Sequence, residues 1–450
     1  MIPGAVAFLA FAAVAILMLP RRLAVIPLLL TAAYTGRANV IELGPANLSA
    51  LRILVLIGFA RAIVRGERLA GGVNIVDTLL LLWAAMLVGL SAFHTSDAWT
   101  FRIGMTLGEL GVYFLCRVFL TSAEDVRLVF RVLCVALVPL AAMLIVEKAT
   151  AHNAFGIMGS AGAANIRDGH VRAYGPFAHP ILAGTVGATC IPMAIAIWRT
   201  HRAHALAGVM AGLGIVLAST SSGPVMMIVF SVAGLTLWKA RDLLGPIRWA
   251  SVVAILALDA VMKDPVYFLM ARIDITGSST GWHRARLIQS SIEHLDEWWM
   301  AGTDYTRHWM PTGVHANAIH TDITNHLLGI GVLGGLPLMA VFVAVLVCAF
   351  RAAGSVFRRP GIEPRDAFLA WTLGAMLFGQ TMNFWSISLF DQSVSFFYLN
   401  LAMIAASRVT YAARRPRLAV KKSRVEIDGA PISPGFAPAA AWAGSGGVTR

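Results

Sequence analysis

The sequence predicts an all-α integral membrane protein, a polytopic bundle of about 12–13 transmembrane helices. Hydrophobic residues make up 58% of the 450 residues and charged residues only 13%, which is roughly half the fraction usual in soluble domains. The apolar residues also come in runs of about 17 to 22, the length that crosses a bilayer core. Together these observations exclude a soluble globular protein.

Thirteen apolar segments are candidate spans, at residues 3–20, 23–41, 47–64, 75–93, 101–120, 126–146, 179–198, 205–221, 223–238, 248–264, 322–350, 366–383 and 392–409. The second is the weakest, because its clean apolar stretch from Leu23 to Thr35 is short. We therefore expect a polytopic membrane domain over residues 1–410. Residues 411–450 are basic at first and then rich in Gly, Ala, Pro and Ser, which predicts a disordered tail.

Lysine and arginine cluster in short segments that alternate with connections poorer in basic residues. This alternation is the pattern that orients membrane helices, and it places the basic segments and the tail in the cytoplasm. The net charge of +13 is thereby explained. Anionic membrane lipid is the expected partner of these charges, and no nucleic acid is expected.

Two connections on the opposite, extracytoplasmic side are long. Loop A covers about residues 148–180 and the larger loop B about 264–320; a connection of about 55 residues in a helical bundle is a functional candidate. In loop A, Gly and Pro bracket Arg172 just before a helix of small residues. A guanidinium group held in this way suits a phosphate or diphosphate, because its donors match the oxyanion. The alternative is an arginine that meets lipid headgroups.

Loop B contains a helical pattern that opens with Arg284 and Arg286. One face carries apolar or small residues, namely Leu287, Ile288, Ser291, Ile292, Leu295, Trp298 and Trp299. This pattern predicts an amphipathic helix that lies on the membrane or caps the bundle, with its arginines at the end that favours anions. The alternative is a basic interfacial helix without chemistry.

The end of loop B concentrates polar residues, among them Asp304, Tyr305, His315 and His320. His315, His320 and His326 invite a metal site, but their spacing matches no strong zinc signature, so we expect no metal there. A histidine near Asp322 is better suited to act as a general base, because its unperturbed pKa is near neutrality and the carboxylate can orient its ring. The alternative is a polar interfacial histidine.

A serine-rich turn forms a third polar cluster, at residues 219–224. Ser221 and Ser222 could offer hydroxyl donors to a phosphate, or the segment could be only a tight turn between two helices.

These landmarks resemble the O-antigen ligase and O-antigen polymerase superfamily of bacterial envelope glycosyltransferases, over about residues 172–335. The family's Arg-x-x-Gly is matched by Arg172 and Gly175, and the arginine that opens its loop helix by Arg284, with Arg286 as the second choice. The histidine at the loop exit, with its two following glycines, is matched by His320, Gly331 and Gly334. Three positions depart from the family pattern: Ser222 in place of an arginine, Thr321 in place of an asparagine, and Ile288 in place of an aromatic residue.

The resemblance implies a GT-C-like architecture and an inverting glycosyl transfer without metal or cofactor, at the outer face of the bacterial inner membrane. The donor would be a polyprenyl diphosphate-linked glycan, and the acceptor a glycan or lipid A–core. Arg172 and Arg284 would neutralise the leaving diphosphate, and His320 would take the acceptor's proton. The remaining polar candidates would bind substrate: Arg286, Ser221, Ser222, Asp304, Tyr305 and His315.

Two functional alternatives remain open at the level of the sequence. Within the superfamily, a polymerase of exopolysaccharide or O-antigen is slightly favoured over a ligase, because the serine turn lacks its arginine. A chain-length regulator or an export protein is a further expected partner. From another class, a lipid-linked glycan flippase or other polytopic transporter would also explain a bundle that contains charged residues.

Overall fold

The computed structural model describes residues 1–36, 38–44, 46–167, 169–272, 281–311 and 318–412. In order, its helices are α1 (Pro3–Met18), α2 (Val25–Tyr34), α3 (Ala50–Val64), α4 (Ile75–Gly89), α5 (Ala98–Phe119), α6 (Ala123–Thr150), α7 (Pro180–Ile197), α8 (Arg202–Ser219), α9 (Ser222–Thr236), α10 (Leu244–Val261), α11 (Leu269–Arg272), α12 (Gly281–Glu293), α13 (Leu295–Trp298), α14 (His326–Phe357), α15 (Pro364–Asn383) and α16 (Ser395–Ala412). Two antiparallel hairpins join β1 (Val40–Leu43) to β2 (Ala46–Ser49) and β3 (Asn165–Arg167) to β4 (His170–Arg172). The predicted tail lies, from residue 413 onward, outside the described residues.

The protein is predominantly helical, and a helix lies in each of the apolar segments expected from the sequence. Within the described residues, six segments are long and apolar enough to cross a membrane: Ile75–Phe93, Ala123–Thr150, Pro180–Ile197, Arg202–Ser219, Ser222–Val261 and His326–Phe357. The structure therefore agrees with an all-α membrane protein, while the count of 12–13 spans stays a prediction. The weakest segment forms only the ten residues of α2 and then leads into the hairpin β1–β2.

Helix α7 lies at the centre of the bundle, with nearly all of its residues buried. Small residues let its neighbour α8 approach closely. A Cβ atom on Gly187 would lie 2.9 Å from the carbonyl oxygen of Gly212, and a Cβ on Gly212 would lie 2.8 Å from that of Gly187. Glycines at such a crossing allow two backbones to pack directly, as in many membrane helix pairs.

Helix α10 is the opposite case, since none of its residues is buried. It exposes large apolar side chains, including Trp249, Val253, Leu256 and Val261. An exposed apolar surface of this size is unfavourable in water and favourable against lipid. The helix thus supports the membrane assignment independently of the core.

Helix α14 is interrupted near its start, where Gly335 has a φ of +75°. The end of loop B fills the interruption: the N–H of Leu336 donates to the carbonyl of Trp299 at 2.7 Å, and the N–H of Thr303 donates to the carbonyl of Val332 at 2.9 Å. A Cβ on Gly335 would lie 2.5 Å from the carbonyl oxygen of Met300. The break in α14 therefore anchors the end of loop B to the bundle.

Candidate functional site

Loop A positions Arg172 through the hairpin β3–β4 and the turn that follows it. Gly175 in this turn has a φ of +57°. The buried carboxylate of Glu147 accepts the backbone N–H groups of Tyr174 at 3.0 Å and Gly175 at 2.9 Å, which holds the turn against α6. Arg172 then donates from Nη2 to the Ser221 hydroxyl at 2.8 Å. The structure thus brings two predicted site residues, Arg172 and Ser221, into contact.

The serine turn between α8 and α9 is itself shaped by local contacts. Thr220 adopts the left-handed region with a φ of +46°. The Ser221 hydroxyl donates to the carbonyl of Ser219 at 2.9 Å, so its oxygen is free to accept from Arg172. Ser222 is the first residue of α9 and is half-buried. Of the two predicted serines, Ser221 is the one joined to the arginine.

Loop B brings Arg284, in the first turn of α12, to the same place. Burial, as the largest cause, and the positive charges of Arg167 and Arg172 together lower the pKa of Arg284 to about 10, while the carboxylate of Asp322 opposes the shift. The Nε of Arg284 is buried and has no hydrogen-bond partner among the described residues. Arginines from two separate loops therefore act on one another at a partly desolvated site.

Asp322 is the acidic member of this arginine cluster, which we define as Arg167, Arg172, Arg284 and Asp322. Burial raises the pKa of Asp322, and the charges of His283 and Arg284 oppose that rise. Asp322 also lines a cavity of about 1070 Å³ that extends into the bundle. It is therefore the residue that joins the arginine cluster to the cavity.

His320 lines the same cavity and is half-buried. Burial lowers its pKa below the ordinary value; the negative charge of Asp304 opposes this shift and the positive charge of His94 adds to it. The sequence pointed to Asp322 as the carboxylate that assists His320. In the structure the negative charge of Asp304 acts on His320, and the charges of His283 and Arg284 act on Asp322.

Asp304 is held in place by the connection between α4 and α5. Its carboxylate accepts the backbone N–H of Thr95 at 2.6 Å and lies 2.8 Å from Nδ1 of His94, whose Nε2 lies 2.9 Å from the carbonyl of Ala301. Burial alone raises the pKa of Asp304, but the bonds from Thr95 and His94 outweigh it and lower the pKa. Sequence reasoning missed His94 because it lies more than 200 residues from Asp304.

Two predicted substrate-binding residues are not brought into this arrangement, and a third lies outside the described residues. Arg286 points to the exposed side of α12, where it pairs with Glu293 at 3.4 Å. Tyr305 is 58% exposed. His315 lies outside the described residues.

The predicted apolar face of loop B is only partly buried against the bundle. Leu287, Ser291 and Trp298 are buried, whereas Trp299 and also Ile292, which lies inside α12, are exposed. The helix α12 ends at Glu293 and the chain leaves helical geometry at the next residue, so the helical period does not continue to Trp299. Contact of this face with the membrane stays a prediction.

The cavity continues from His320 to a buried polar pair inside the bundle. The Tyr398 hydroxyl donates to the carboxylate of Glu109 at 2.8 Å, and Arg52 also lines this part of the cavity. Polar side chains therefore stand at both ends of a cavity whose lining is otherwise mostly apolar, and the space is large enough for a drug-sized molecule or a short sugar chain.

No protein-family model matches this chain, and no curated protein matches it. The function is therefore inferred from the residues and from the motif resemblance.

The described residues contain one group whose spacing suits metal ligands, namely His294, Glu297 and His308, and their ligand atoms lie within 4.8 Å of one another. This group does not include the histidines that the sequence raised for a metal, and the expectation of no metal at His320 stays a prediction.

Proposed function

We propose that this chain is an inner-membrane glycosyltransferase of the O-antigen ligase and polymerase type, which moves a glycan from a polyprenyl diphosphate to a sugar hydroxyl. In this proposal the architecture is GT-C-like, loops A and B lie outside the cytoplasm, and no cofactor takes part. The observation that carries the proposal is the arginine cluster, in which the positive charges of Arg167 and Arg172 from loop A act on the buried Arg284 from loop B.

The charge of the cluster suits a diphosphate. Among the described residues, two guanidinium groups and one carboxylate act on Arg284, so the charge around this residue is net positive. A buried Nε–H without a partner on Arg284 provides a donor for an oxyanion. Donors arranged in advance around developing negative charge stabilise a leaving diphosphate more than the ground state.

His320 suits the other half of the reaction. Its lowered pKa keeps the ring neutral at neutral pH, so that it can accept a proton. The acceptor hydroxyl would attack the anomeric carbon, the bond from that carbon to the diphosphate oxygen would break, and the hydroxyl proton would pass to His320. His320 and Asp322 line the same cavity and Asp322 acts on Arg284, which supports a reaction that uses both His320 and Arg284.

Polymerase and ligase share this donor chemistry and differ in the acceptor. We favour the polymerase slightly, because the family's Ser-Arg-Gly turn reads Ser221-Ser222-Gly223 here. A lipid-linked glycan flippase or other transporter is the second candidate, and the observation in its favour is the polar interior of the cavity at Arg52 and Glu109. Transporter sites lie near the bilayer midplane, whereas the arginine cluster lies in the loops.

The test starts from cells that lack the chain and supplies them with the unaltered chain, with Arg172→Ala or His320→Ala, or with the exposed control Arg286→Ala. Envelope polysaccharides and lipid-linked glycans are then compared among these cells. The two site variants should fail to restore transfer, and the control should restore it. Single repeat units on the lipid carrier would indicate a polymerase, and long chains left on the carrier a ligase. Normal transfer by a folded Arg172→Ala or His320→Ala variant would contradict the proposal, and a block caused only by Glu109→Gln would favour a carrier.

A further inference from the structure

A second polar group lies in loop B and takes no part in the arginine cluster. His294 stands between α12 and α13, Glu297 lies in α13, and His308 lies in the 3-10 turn Arg307–Trp309. Their ligand atoms lie within 4.8 Å of one another. The spacing of three residues between His294 and Glu297 puts both side chains on one side of a helical turn, and the Arg307–Trp309 turn brings the third.

Each of these side chains is oriented by a neighbour. Nδ1 of His294 lies 2.8 Å from the carbonyl oxygen of Ser290. Since a carbonyl only accepts hydrogen bonds, Nδ1 carries the proton and Nε2 of the neutral ring carries the lone pair. The Trp309 indole N–H donates to Glu297 at 3.0 Å. A histidine bonded through its other nitrogen to a backbone carbonyl, beside a carboxylate held by an N–H donor, is the surrounding typical of metal ligands.

We propose that His294, Glu297 and His308 bind a borderline divalent transition-metal ion, Zn²⁺ foremost. Two imidazole nitrogens and one carboxylate form a ligand set that zinc accepts, and three protein ligands leave a further position for water. Nε2 of His308 lies 2.9 Å from both carboxylate oxygens of Glu297. The metal ion takes the place of the proton between them, and the ring keeps its remaining proton on Nδ1.

The site is accessible to a metal ion from solvent. The side chains of His308 and Glu297 are 51% and 32% exposed. An exposed His–Glu pair contributes little stability by itself. A bound ion would contribute more, because it binds the folded arrangement in preference to the unfolded chain.

The position of the ligands gives the ion a structural role. Glu297 and His308 lie on either side of the segment from Trp298 to Thr306, which fills the break in α14 and carries Asp304. Joining the two ends restricts this segment to its docked conformation. These contacts would hold the ion whether or not the chain transfers a glycan.

The experiment uses the full-length chain, purified in detergent without a histidine tag and treated with a chelator. Co²⁺ is titrated while the visible absorption of the metal is recorded, and Zn²⁺ is then added as competitor. We expect saturable binding of one ion per chain, displacement by Zn²⁺, and a Zn²⁺-dependent rise in the thermal unfolding temperature. Glu297→Gln and His308→Gln should each weaken binding at least ~10-fold, and Trp309→Phe, which removes the N–H donor to Glu297 and reduces the ring stacked on His294, should weaken it by ~10–100-fold.

The matched control is His152→Gln, which removes an exposed imidazole from loop A. It should bind Co²⁺ like the unaltered chain. Absence of saturable binding by the unaltered chain would overturn the proposal. So would unchanged affinity in Glu297→Gln and His308→Gln, or an equal loss in His152→Gln, which would indicate scattered binding to exposed histidines. Because the readout is metal binding, failure of the glycan-transfer assay leaves this result unaffected.

Discussion

Two charged clusters in this protein use the same residue types in opposite ways. In the first, which we call the balanced cluster, Arg117 meets Asp77 and Tyr113. Nε and Nη2 of Arg117 donate to the two oxygens of Asp77 at 3.1 and 3.0 Å, and its terminal nitrogens also donate to two backbone carbonyls. Tyr113 donates to the same carboxylate at 2.5 Å. One positive charge meets one negative charge, and their hydrogen-bonding groups are well occupied.

Arg284 in the arginine cluster has different surroundings. Burial and the positive charges of Arg167 and Arg172 lower its pKa, and its Nε is buried without a partner among the described residues. Buried charge is costly unless it is paired. The balanced cluster therefore reads as part of the scaffold, whereas the unpartnered Nε of Arg284 indicates a donor that an anion can use.

The largest change in stability is expected from a substitution that breaks the balanced cluster. Asp77→Leu leaves Arg117 buried without its carboxylate and should lower the free energy of unfolding in detergent by about 3–5 kcal/mol. The double variant Asp77→Leu with Arg117→Met removes both charges and should recover much of this loss. If the single variant is as stable as the unaltered protein, the pair does not hold the scaffold.

Arg284→Gln should behave in the opposite way. Removing one of three like charges relieves repulsion, so the free energy of unfolding should not fall, while glycan transfer should fall by about 10²–10³-fold because a donor to the diphosphate is lost. Transfer by purified protein and unfolding in detergent measure the two effects. A stability loss like that of Asp77→Leu, with transfer retained, would remove the distinction between the clusters.

The pH dependence of transfer should report His320. A general base must be neutral, so the rate should fall about tenfold per pH unit below its pKa. The fall in rate, which we call the acid limb, should begin at a pH below the ordinary histidine pKa of 6.5, since burial lowers the pKa of His320. Asp304→Asn removes the negative charge that opposes this shift, and should move the limb to still lower pH. If the acid limb does not move in Asp304→Asn and is still present in His320→Gln, the titrating group is a residue other than His320.

The smallest effects belong to the exposed candidates. Arg286→Gln breaks only an exposed pair with Glu293, and Tyr305→Phe removes a hydroxyl from an exposed ring. Each should change the free energy of unfolding by less than about 0.5 kcal/mol and transfer by less than about twofold. A large loss of transfer in either variant would mean that the substrate reaches beyond the arginine cluster.

Much of the helical layout could be predicted, because apolar runs of this length are local properties of the chain. The segments predicted at 75–93 and 366–383 correspond closely to Ile75–Phe93 and to α15. The prediction failed where tertiary contacts decide. The helix in segment 23–41 ends early and is followed by a hairpin. The loop B helix stops at Glu293, and the residues that follow it pack into the interruption of α14.

For the site, the sequence predicted several of the functional residues but only some of the residues that contact them. Arginines beside glycine and at a helix start favour anion binding by local rules, which singled out Arg172 and Arg284. Arg167 and His94 carry no comparable local signal. They belong to the site only because the hairpin β3–β4 and the connection before α5 bring them to Arg284 and Asp304.

By itself, the sequence determined that the protein is helical and rich in membrane-length apolar segments, and that its polar chemistry is concentrated in two loops. The tertiary structure alone decided which charges meet: Asp304 with His94 near His320, and Asp322 with Arg284. The physical reason is that hydropathy adds up along the chain, whereas electrostatic interaction depends on distance in space and on burial.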